Sequence, residues 1–425
     1  MAKHGSVLAI KGGPKTIKTP VGDTFKWPII TKEDERAVLE VLRAGKMSAT
    51  DVTMKFEEEL ARWHNMKYAL CHNTGTAAIH AAMFGCKVGV GDEVIVQSLT
   101  YWASALQVFT LGATPVFAEV DPNTLTLDPR DIEHRITERT KAIVVVHYCG
   151  YPTDMDPILK IARKHNLKVI EDVSHAHGGL YKGRLVGTIG DVGAMSVMSG
   201  KALAVGEGGF LVTNDREIYE RAVAFGHYER HGSALTIPYL KQNAGLPLGS
   251  QKYRMHQISS AVGRVQLKRY RKRMETIQKA MNYFWDLLEG VPGIRPHRPP
   301  KNSRSTMGGW YAPKGLYVPE ELGGLPVVRF CEAVTAEGCP IGPGANFPMH
   351  LHPVLNDVDV YGHGKPTRIV FASRDVRQRT GSLPVTESMP GRCFSIPWFK
   401  HYRPRIIREH AEAFRKVAEH AEELL

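Results

Sequence analysis

Residues 142–173 read AIVVVHYCGYPTDMDPILKIARKHNLKVIEDV, and this stretch decides the fold class. Apolar runs predict strands over residues 142–148 and 167–173, and the amphipathic stretch between them predicts a helix. Strands of nearly continuous branched apolar residues joined by helices are typical of βαβ units in a buried parallel sheet. The stretch therefore predicts an α/β domain.

Further apolar segments on both sides predict strands of the same sheet. They lie at residues 68–73, 93–98, 114–120, 194–199 and 209–214. Amphipathic stretches such as TAAIHAAMFGCKV and ASALQVFTLG separate them and predict helices. Together the segments predict one large domain with a seven-stranded, mostly parallel sheet.

The second half of the chain has a different pattern. Residues 233–253 are rich in turn-forming residues and predict a loop, and a helical pattern then runs from His256 to about Leu288. A Pro-rich basic break and a final amphipathic helix follow. The sequence predicts a large domain over residues 1–255, including the N-terminal segment. Residues 256–425 would form a long connecting helix and a small α+β domain.

Composition and charge narrow the classes of partner. Of 425 residues, 43% are apolar and 23% charged, and no apolar run approaches the ~20 residues of a membrane helix. The net charge of +12 is typical either of a surface for nucleic acid or anionic substrates or of a solvated basic surface. The densest basic run, residues 268–273, lies within a helical pattern and has no nucleic-acid-reading motif beside it. We therefore expect neither a nucleic-acid nor a membrane partner.

The cysteines indicate a reducing compartment. The six are scattered without a CxxC pair, and the N-terminal residues lack the pattern of a secretory signal. In a chain of this length they predict reduced thiols of a cytoplasmic protein, and not a disulfide or zinc framework.

The first motif with chemical meaning is Thr74-Gly75-Thr76, which follows a predicted strand and opens a helix. Free N–H groups and the dipole at a helix N-terminus bind anions, and glycine lets a phosphate approach the backbone closely. A threonine before a helix is also a common N-cap, so this motif alone leaves both interpretations open.

The second motif is Asp172, which ends a predicted strand before a turn with His175 and His177. Ligands of open parallel sheets lie at the carboxyl ends of strands, where a carboxylate can keep a heterocyclic nitrogen protonated. The aspartate could equally be a cap or a turn residue. Two histidines at i, i+2 without an acidic or cysteine partner nearby predict no metal site.

The third motif is Lys201, which lies in SGKALAVGEGG (199–209). A lysine among small and apolar residues is a candidate for a lowered pKa and Schiff-base chemistry, although its ammonium could also extend past an apolar turn to water. A phosphate cradle, a strand-end aspartate and this lysine are together the parts that pyridoxal phosphate requires.

Longer segments carry these motifs in order: NTGTAAIHAA, GDEVIVQSLTYWAS, VIEDVSHAHGG, GTIGDVGAMSVMSGKALAVGEGGFLVTND and KYRMHQISSAVGRVQL. They resemble the sugar-aminotransferase family named after DegT, DnrJ, EryC1 and StrS, strongly over roughly residues 5–290 and more loosely beyond. The resemblance implies pyridoxal-phosphate fold type I, with a three-layer αβα large domain and a smaller α+β C-terminal domain. It also implies a homodimer with active sites at the subunit interface.

The resemblance assigns a role to each motif residue. It implies that Lys201 binds the cofactor aldehyde and moves the proton, and that Asp172 pairs with the pyridine nitrogen. His175 falls near the ring and its 3-hydroxyl, and Tyr101 falls where an aromatic ring stacks on the cofactor. The phosphate-binding residues implied by the same match are Gly75, Thr76 and Ser196.

Lys252 departs from the family pattern. The family commonly has asparagine at this position, before Tyr253-Arg254-Met255, and that asparagine reaches the phosphate across the dimer interface. A lysine can bind phosphate as a point charge, so the resemblance still implies a contact from the partner chain. Some relatives have histidine in place of the lysine and are dehydratases, an activity against which Lys201 argues.

The implied reaction is a ping-pong transamination from glutamate or glutamine to a ketone on a sugar-like ring. Residues 342–355 and the N-terminal LAIKGGPKT resemble the branch that acts on keto-cyclitols. His350 and His352 are candidate contacts to ring hydroxyls, and a structural role for these loop histidines is an equal alternative. A nucleotide-linked keto-sugar acceptor, for which a basic groove would suit the diphosphate, and a non-catalytic regulator also stay open.

Overall fold

The computed structural model describes residues 7–242 and 244–425. The strands are β1 (Tyr68–His72), β2 (Glu93–Gln97), β3 (Thr114–Ala118), β4 (Thr140–Val146), β5 (Lys168–Asp172), β6 (Leu180–Tyr181), β7 (Arg184–Leu185), β8 (Val192–Ser196), β9 (Gly209–Thr213), β10 (Ile294–Pro296), β11 (Lys314–Tyr317) and β12 (Cys393–Ser395). The α-helices are α1 (Lys32–Arg43), α2 (Asp51–His64), α3 (Gly75–Gly85), α4 (Pro129–Arg135), α5 (Met155–Lys164), α6 (Arg216–Gly226), α7 (His231–Ala234), α8 (Pro238–Lys241), α9 (Gln257–Leu287), α10 (Val327–Ala336), α11 (Pro353–Asn356), α12 (Pro384–Ser388) and α13 (Pro404–Glu419).

The central sheet has seven strands in the order β1-β9-β8-β5-β4-β2-β3. β9 runs antiparallel to both of its neighbours, and the other neighbouring strands are parallel. Each of the seven predicted strands forms, and the mostly parallel α/β sheet is confirmed. Because β9 is antiparallel to β8, the segment that connects them begins and ends at the same edge of the sheet, the edge at which β8 ends.

The sheet is buried on both faces, and successive side chains of each strand point alternately into one of two hydrophobic cores. In β4, Ala142, Val144 and Val146 belong to one core, and Ile143 and Val145 belong to the other. Helices α3 and α6 cover the first face, and α2, α4 and α5 cover the second. The result is the three-layer αβα arrangement.

The helix α9 connects the large domain to the small one. Its N-terminus is capped by His256, which accepts a hydrogen bond from the N–H of Ile258 at 3.2 Å. Leu267 and Tyr270 pack in the second core of the sheet, whereas Phe284 packs further along with α10 and α13. The antiparallel sheet β10-β11-β12 completes the small α+β domain.

Local structure differs from the sequence prediction in two places. The predicted helix over residues 103–112 is instead two 3-10 helices, Trp102–Ser104 and Leu106–Leu111, because Ala105 between them leaves helical geometry with φ −124°. The predicted loop over residues 233–253 contains the one-turn helix α8.

Two segments cross the predicted domain division, which itself stays a prediction. Leu8 packs in the small-domain core, and the N–H of Thr19 donates to Glu409 Oε2 of α13 at 2.8 Å. The N-terminal segment thus packs with the small domain, although the sequence placed it with the large one. Conversely, Met349 and Leu383 pack in the first core of the sheet.

Three further observations concern only residues 7–242 and 244–425. No helix there has both the length and the apolar composition needed to cross a membrane. No group of three or more His, Cys, Asp or Glu side chains is arranged to hold a metal ion. All six cysteines are buried and have free thiols.

Candidate active site

A cavity of about 420 Å³ lies at the carboxyl edge of the central sheet. β5 and β8 end beside it, and α3 begins there. Because β9 runs back antiparallel to β8, residues 197–208 stay at this edge and bring Lys201 into the cavity. Seven of the ten predicted site residues line it: Gly75, Thr76, Tyr101, Asp172, His175, Ser196 and Lys201. A larger groove of about 770 Å³ between α1, α2 and α9 contains none of them.

The N-terminus of α3 is open toward the cavity. Thr74 caps the helix by accepting a hydrogen bond from the N–H of Ala77 at 3.0 Å, which leaves the N–H groups of Gly75 and Thr76 outside the helical pattern. A side chain at position 75 would place its Cβ 2.3 Å from Cβ of Ser196. Only glycine therefore allows the helix N-terminus and Ser196 to lie together, and this pair can bind an anion.

Asp172 is buried at the end of β5, and both of its carboxylate oxygens accept hydrogen bonds. The hydroxyl of Ser104 donates to Oδ2 at 2.7 Å, and the N–H of Ser174 donates to Oδ1 at 3.0 Å. The carboxylate is therefore held in one orientation, and its remaining lone pairs can accept a further donor from the cavity.

Glu171, the residue before it, points to the other side of the sheet and has a structural role. Its buried carboxylate accepts hydrogen bonds from His147 Nε2 at 3.0 Å and from the N–H groups of Ile189 and Gly190 at 2.7 and 2.6 Å. Burial alone would raise the pKa of Glu171, but these hydrogen bonds hold it below its ordinary value. The hydrogen bonds from Ile189 and Gly190 to Glu171 fix the turn between β7 and β8 against β5.

Lys201 is 8% exposed, and its backbone is fixed on both sides. Its N–H donates to the carbonyl of Met198 at 2.8 Å, and its carbonyl accepts a 2.8 Å hydrogen bond from Nε1 of Trp27. Burial lowers the pKa of the Lys201 amine to about 8, and the charge of Asp172 opposes this shift. The amine is therefore both accessible from the cavity and readily deprotonated.

His175 is held as one neutral tautomer. Its Nδ1 accepts a hydrogen bond of 3.1 Å from the N–H of Cys149, whose φ of +51° lies in the left-handed region. Burial, and then the charge of Lys201, keep the pKa of His175 well below its ordinary value. The ring proton is therefore on Nε2, which can act as a donor.

Lys252 does not line the cavity within this chain. Its side chain is exposed, with Nζ 6.0 Å from the ring centroid of Tyr228. Its carbonyl accepts a 3.5 Å hydrogen bond from Nδ2 of Asn73 at the end of β1. The implied contact with a partner's phosphate stays a prediction.

His350 and His352 also lie outside the cavity. His350 is fully buried, with Nδ1 2.7 Å from Oγ of Ser98 and Nε2 3.0 Å from Oε1 of Glu387. Both ring nitrogens are thus occupied, and the geometry favours the structural alternative over contact with a substrate. His352 is half-buried, and its ring centroid lies 4.9 Å from that of Phe347.

Several cavity residues were not singled out from the sequence, and three of them, Ser104, Asn346 and Tyr311, matter most for the site. Ser104 belongs to the recognised TYWAS segment, and Asn346 to the stretch over residues 342–355, where it accepts a 2.6 Å hydrogen bond from the Tyr148 hydroxyl. Tyr311 comes from the small domain and lies within no recognised motif. Signals for the first two were present in their segments, and none was present for Tyr311.

The cavity fits pyridoxal phosphate on three separate observations. The open N-terminus of α3 against Ser196 suits the phosphate, and the oriented carboxylate of Asp172 suits the pyridine nitrogen. Among the described residues, Nζ of Lys201 has no hydrogen-bond acceptor or ion-pair partner, so this amine is available to the aldehyde.

Comparisons with known proteins agree with this fit. The DegT/DnrJ/EryC1/StrS aminotransferase family matches residues 28–411. The spore coat polysaccharide biosynthesis protein SpsC of Bacillus subtilis is 34% identical, over 86% of this chain and 92% of that protein. The L-glutamine:2-deoxy-scyllo-inosose aminotransferase of Streptomyces kanamyceticus is 30% identical, over 99% of each chain. The aminotransferase structure from Psychrobacter cryohalolentis superimposes with a TM-score of 0.78 at 30% identity, over 91% of this chain and 97% of that one.

The sheet topology, the cavity residues and these matches lead to one assignment. The chain belongs to the DegT/DnrJ/EryC1/StrS aminotransferase family and is a pyridoxal-phosphate-dependent aminotransferase of fold type I.

Proposed function

We propose that this enzyme moves an amino group from glutamine or glutamate to a ketone on a cyclitol or sugar ring in a ping-pong reaction. The observation that carries the proposal is the buried Lys201 amine, free of any acceptor among the described residues, in one cavity with Asp172. The Streptomyces kanamyceticus relative, whose name specifies glutamine and 2-deoxy-scyllo-inosose, supports the donor and the acceptor class.

Lys201 would serve twice. Its amine binds the cofactor, and after release the same Nζ holds the proton that moves during amino transfer. A pKa of about 8 lets this nitrogen take up and give up a proton near neutral pH. When bound, the cofactor supplies the electron sink for the carbanion that forms.

The other cavity residues would orient the cofactor. Asp172 accepts a charge-assisted hydrogen bond from the ring nitrogen, and His175 donates from Nε2 to the 3-hydroxyl oxygen. Tyr101 supplies the ring that stacks on the cofactor. The phosphate would be held by three residues, namely Gly75, Thr76 and Ser196.

The enzyme would work as a homodimer. Tyr101 is 50% exposed and Phe347 is 54% exposed at the cavity side of the molecule, and the neighbouring Trp102 is also exposed. Large apolar side chains that remain exposed around an active site suit a second copy of the chain. Lys252 would then bind the phosphate in the partner's cavity, where it adds positive charge to a cradle whose described residues, Gly75, Thr76 and Ser196, are uncharged.

The acceptor would be an uncharged ring. Lys201 is the only Lys or Arg among the described residues that line the cavity, so this chain offers no separate cation for a diphosphate. The alternative, a nucleotide-linked keto-sugar, would need cations from the partner chain. The net charge of +12 is the observation that favours it.

The compartment would be the cytoplasm. Six buried free thiols suit a reducing environment, because cysteines in oxidising compartments usually form disulfides.

The test is an acceptor screen with the purified holoenzyme. Free inososes and nucleotide-linked keto-hexoses are compared as acceptors, with glutamine and glutamate as donors, and the keto acid product is quantified. Transfer to inososes is expected, and transfer only to nucleotide-linked sugars would replace the proposed acceptor. Cofactor binding without amino transfer to any ketone would instead indicate the alternative of a non-catalytic regulator that binds the cofactor. Lys201→Ala should lose turnover and borohydride-fixed cofactor, and Lys160→Ala, an exposed lysine on α5, should keep both.

A further inference from the structure

Tyr311 lies directly against the amine of Lys201. Its ring centroid is 3.9 Å from Nζ, and its side chain lines the cavity. The same ring lies 4.7 Å from the ring of His175. Since Nζ has no hydrogen-bond acceptor among residues 7–242 and 244–425, the negative face of this ring is the partner that the structure gives it.

The backbone around Tyr311 is strained in a way that fixes the ring. Trp310 and Ala312, on either side of it, have φ values of 57° and 50°. A left-handed backbone conformation costs a non-glycine residue roughly 1–2 kcal/mol. The surrounding structure must therefore stabilise this conformation at both residues that flank Tyr311. Trp310 is fully buried in the small-domain core and supplies part of that support.

Gly308 and Gly309 let the backbone that precedes Tyr311 pack directly on residues near Lys201. A Cβ at Gly309 would lie 2.2 Å from Cβ of Ala202, the residue after Lys201. A Cβ at Gly308 would lie 2.3 Å from the carbonyl oxygen of His177. The backbone that carries Tyr311 thus packs on the lysine segment without intervening side chains.

The indoles of Trp398 and Trp27 fix the positions of Tyr311 and Lys201 relative to each other. Trp398 meets Tyr311 edge to face, with centroids 5.7 Å apart and planes at 89°, and its Nε1 donates to the carbonyl of Gly309 at 3.0 Å. Trp27 fixes the carbonyl of Lys201 from the other side. An indole hydrogen bond therefore anchors the backbone of Lys201 itself and, on the other side of the contact, the backbone two residues before Tyr311.

Building on the proposed function, we propose that Tyr311 is a positioning residue for Lys201. The face of its ring holds the amine on one wall of the cavity whenever the cofactor is not attached to it. The ring face favours the ammonium form, whereas burial favours the free amine. Tyr311 would thus keep the released Lys201 able to hold a proton at Nζ in a cavity that otherwise disfavours its charge.

The test replaces Tyr311 by phenylalanine and by mono-, di- and trifluorinated phenylalanines. Each fluorine weakens the negative ring face and changes the shape little. Cofactor-free protein is reconstituted with the amine form of the cofactor, which leaves Lys201 unattached without any turnover, and is labelled competitively with acetic anhydride across a pH series. Mass spectrometry of the Lys201 peptide gives the pKa of its amine.

We expect Tyr311→Phe to keep the wild-type pKa of Lys201. Along the fluorine series the ratio of protonated to free amine at a fixed pH should fall stepwise, by about tenfold in total. The midpoint of the pH profile for the single-turnover donor half-reaction should move with it. The same series at Tyr402, whose ring lies 4.3 Å from Nζ of Lys279, should leave Lys201 unchanged.

A flat series would overturn the proposal, as would a Tyr311→Phe shift as large as that of the trifluoro variant. A pKa that moves without the half-reaction profile would also overturn it, because the contact would then have no part in the reaction. Failure of the proposed function is distinguishable, since it would appear as wild-type holoenzyme that transfers no amine while the labelling series still responds.

Discussion

The hydroxyl of Ser104 donates a 2.7 Å hydrogen bond to Oδ2 of Asp172. Ser104 ends the short 3-10 turn that Tyr101 precedes, so one turn orients the Asp172 carboxylate and presents the predicted stacking ring. The Thr100 hydroxyl lies 3.0 Å from Ser104 Oγ and continues this network. The pairing of Asp172 with the cofactor nitrogen would thus depend on Ser104, a residue to which the family resemblance gave no role.

Ser104→Ala should lower kcat by roughly three- to tenfold, because a hydrogen bond of this kind is worth about 1 kcal/mol and here orients the carboxylate. The KM for the amino donor should change little. Steady-state kinetics with the best acceptor check this, and Ser104→Thr, which keeps a hydroxyl, should restore most of the loss. Full activity of Ser104→Ala would show that Asp172 needs no such support.

Asp172→Asn should lower kcat by at least about a hundredfold, because an amide cannot stabilise a protonated ring nitrogen as a carboxylate does. The cofactor should still be fixed on Lys201 by borohydride, as seen by the mass of the Lys201 peptide. Activity within threefold of wild type would contradict the role proposed for Asp172.

Gly75→Ala should weaken cofactor binding, because the added Cβ would lie 2.3 Å from Cβ of Ser196 and would push α3 away from it. Titration of cofactor-free protein with pyridoxal phosphate should show an affinity at least about tenfold lower. Gly89→Ala is the matched control, since a Cβ there meets nothing within 4 Å. Equal affinities for the two variants would argue against a phosphate site at this position.

Lys201→Met should stabilise the cofactor-free protein below pH 8. Burial lowers the pKa of Lys201 from 10.5 to about 8, so between these pH values the unfolded chain binds more protons and wild-type stability rises with pH. Below pH 8 the full cost of the buried ammonium, about 3 kcal/mol, is present. Urea unfolding at several pH values should show the advantage of the variant shrinking toward pH 10.5. Parallel curves for wild type and variant would contradict the burial of this charge.

His350→Ala should lower Tm and leave the acceptor KM within about twofold, because the variant removes the buried imidazole that joins Ser98 to Glu387 and leaves a cavity in its place. Thermal unfolding and acceptor kinetics on the same preparation separate the two roles. A large rise in KM at unchanged Tm would restore the interpretation of His350 as a substrate contact.

The strands of the sheet were predictable because each is an apolar run between turn residues, and burial on both faces demands that pattern. The direction of β9 was not, because a strand buried on both faces has the same composition whether it runs parallel or antiparallel. That direction returns the chain to the cavity edge and brings Lys201 there.

The motif residues of the site were predictable where one segment carried both fold and chemistry, as with Gly75 and Asp172. Tyr311 was not, because its place depends on the packing of the small domain on the lysine segment and on left-handed residues that no sequence pattern marks. The surroundings of His350 were not predictable either, because its neighbours come from distant parts of the chain. The sequence left a structural role and a substrate contact as equal alternatives, and only the fold shows that Ser98 and Glu387 enclose the ring.

The packing of the N-terminal segment against α13 has a consequence for synthesis. Thr19 and its partner Glu409 are 390 residues apart, which at about 5–20 residues per second means roughly 20–80 s on the ribosome. During that interval the core to which Leu8 belongs lacks its α13 residues, such as Phe414. The small-domain core therefore cannot close until α13 emerges, and a message truncated before α13 would leave the apolar members of this core, Leu8 among them, without the helix that completes it.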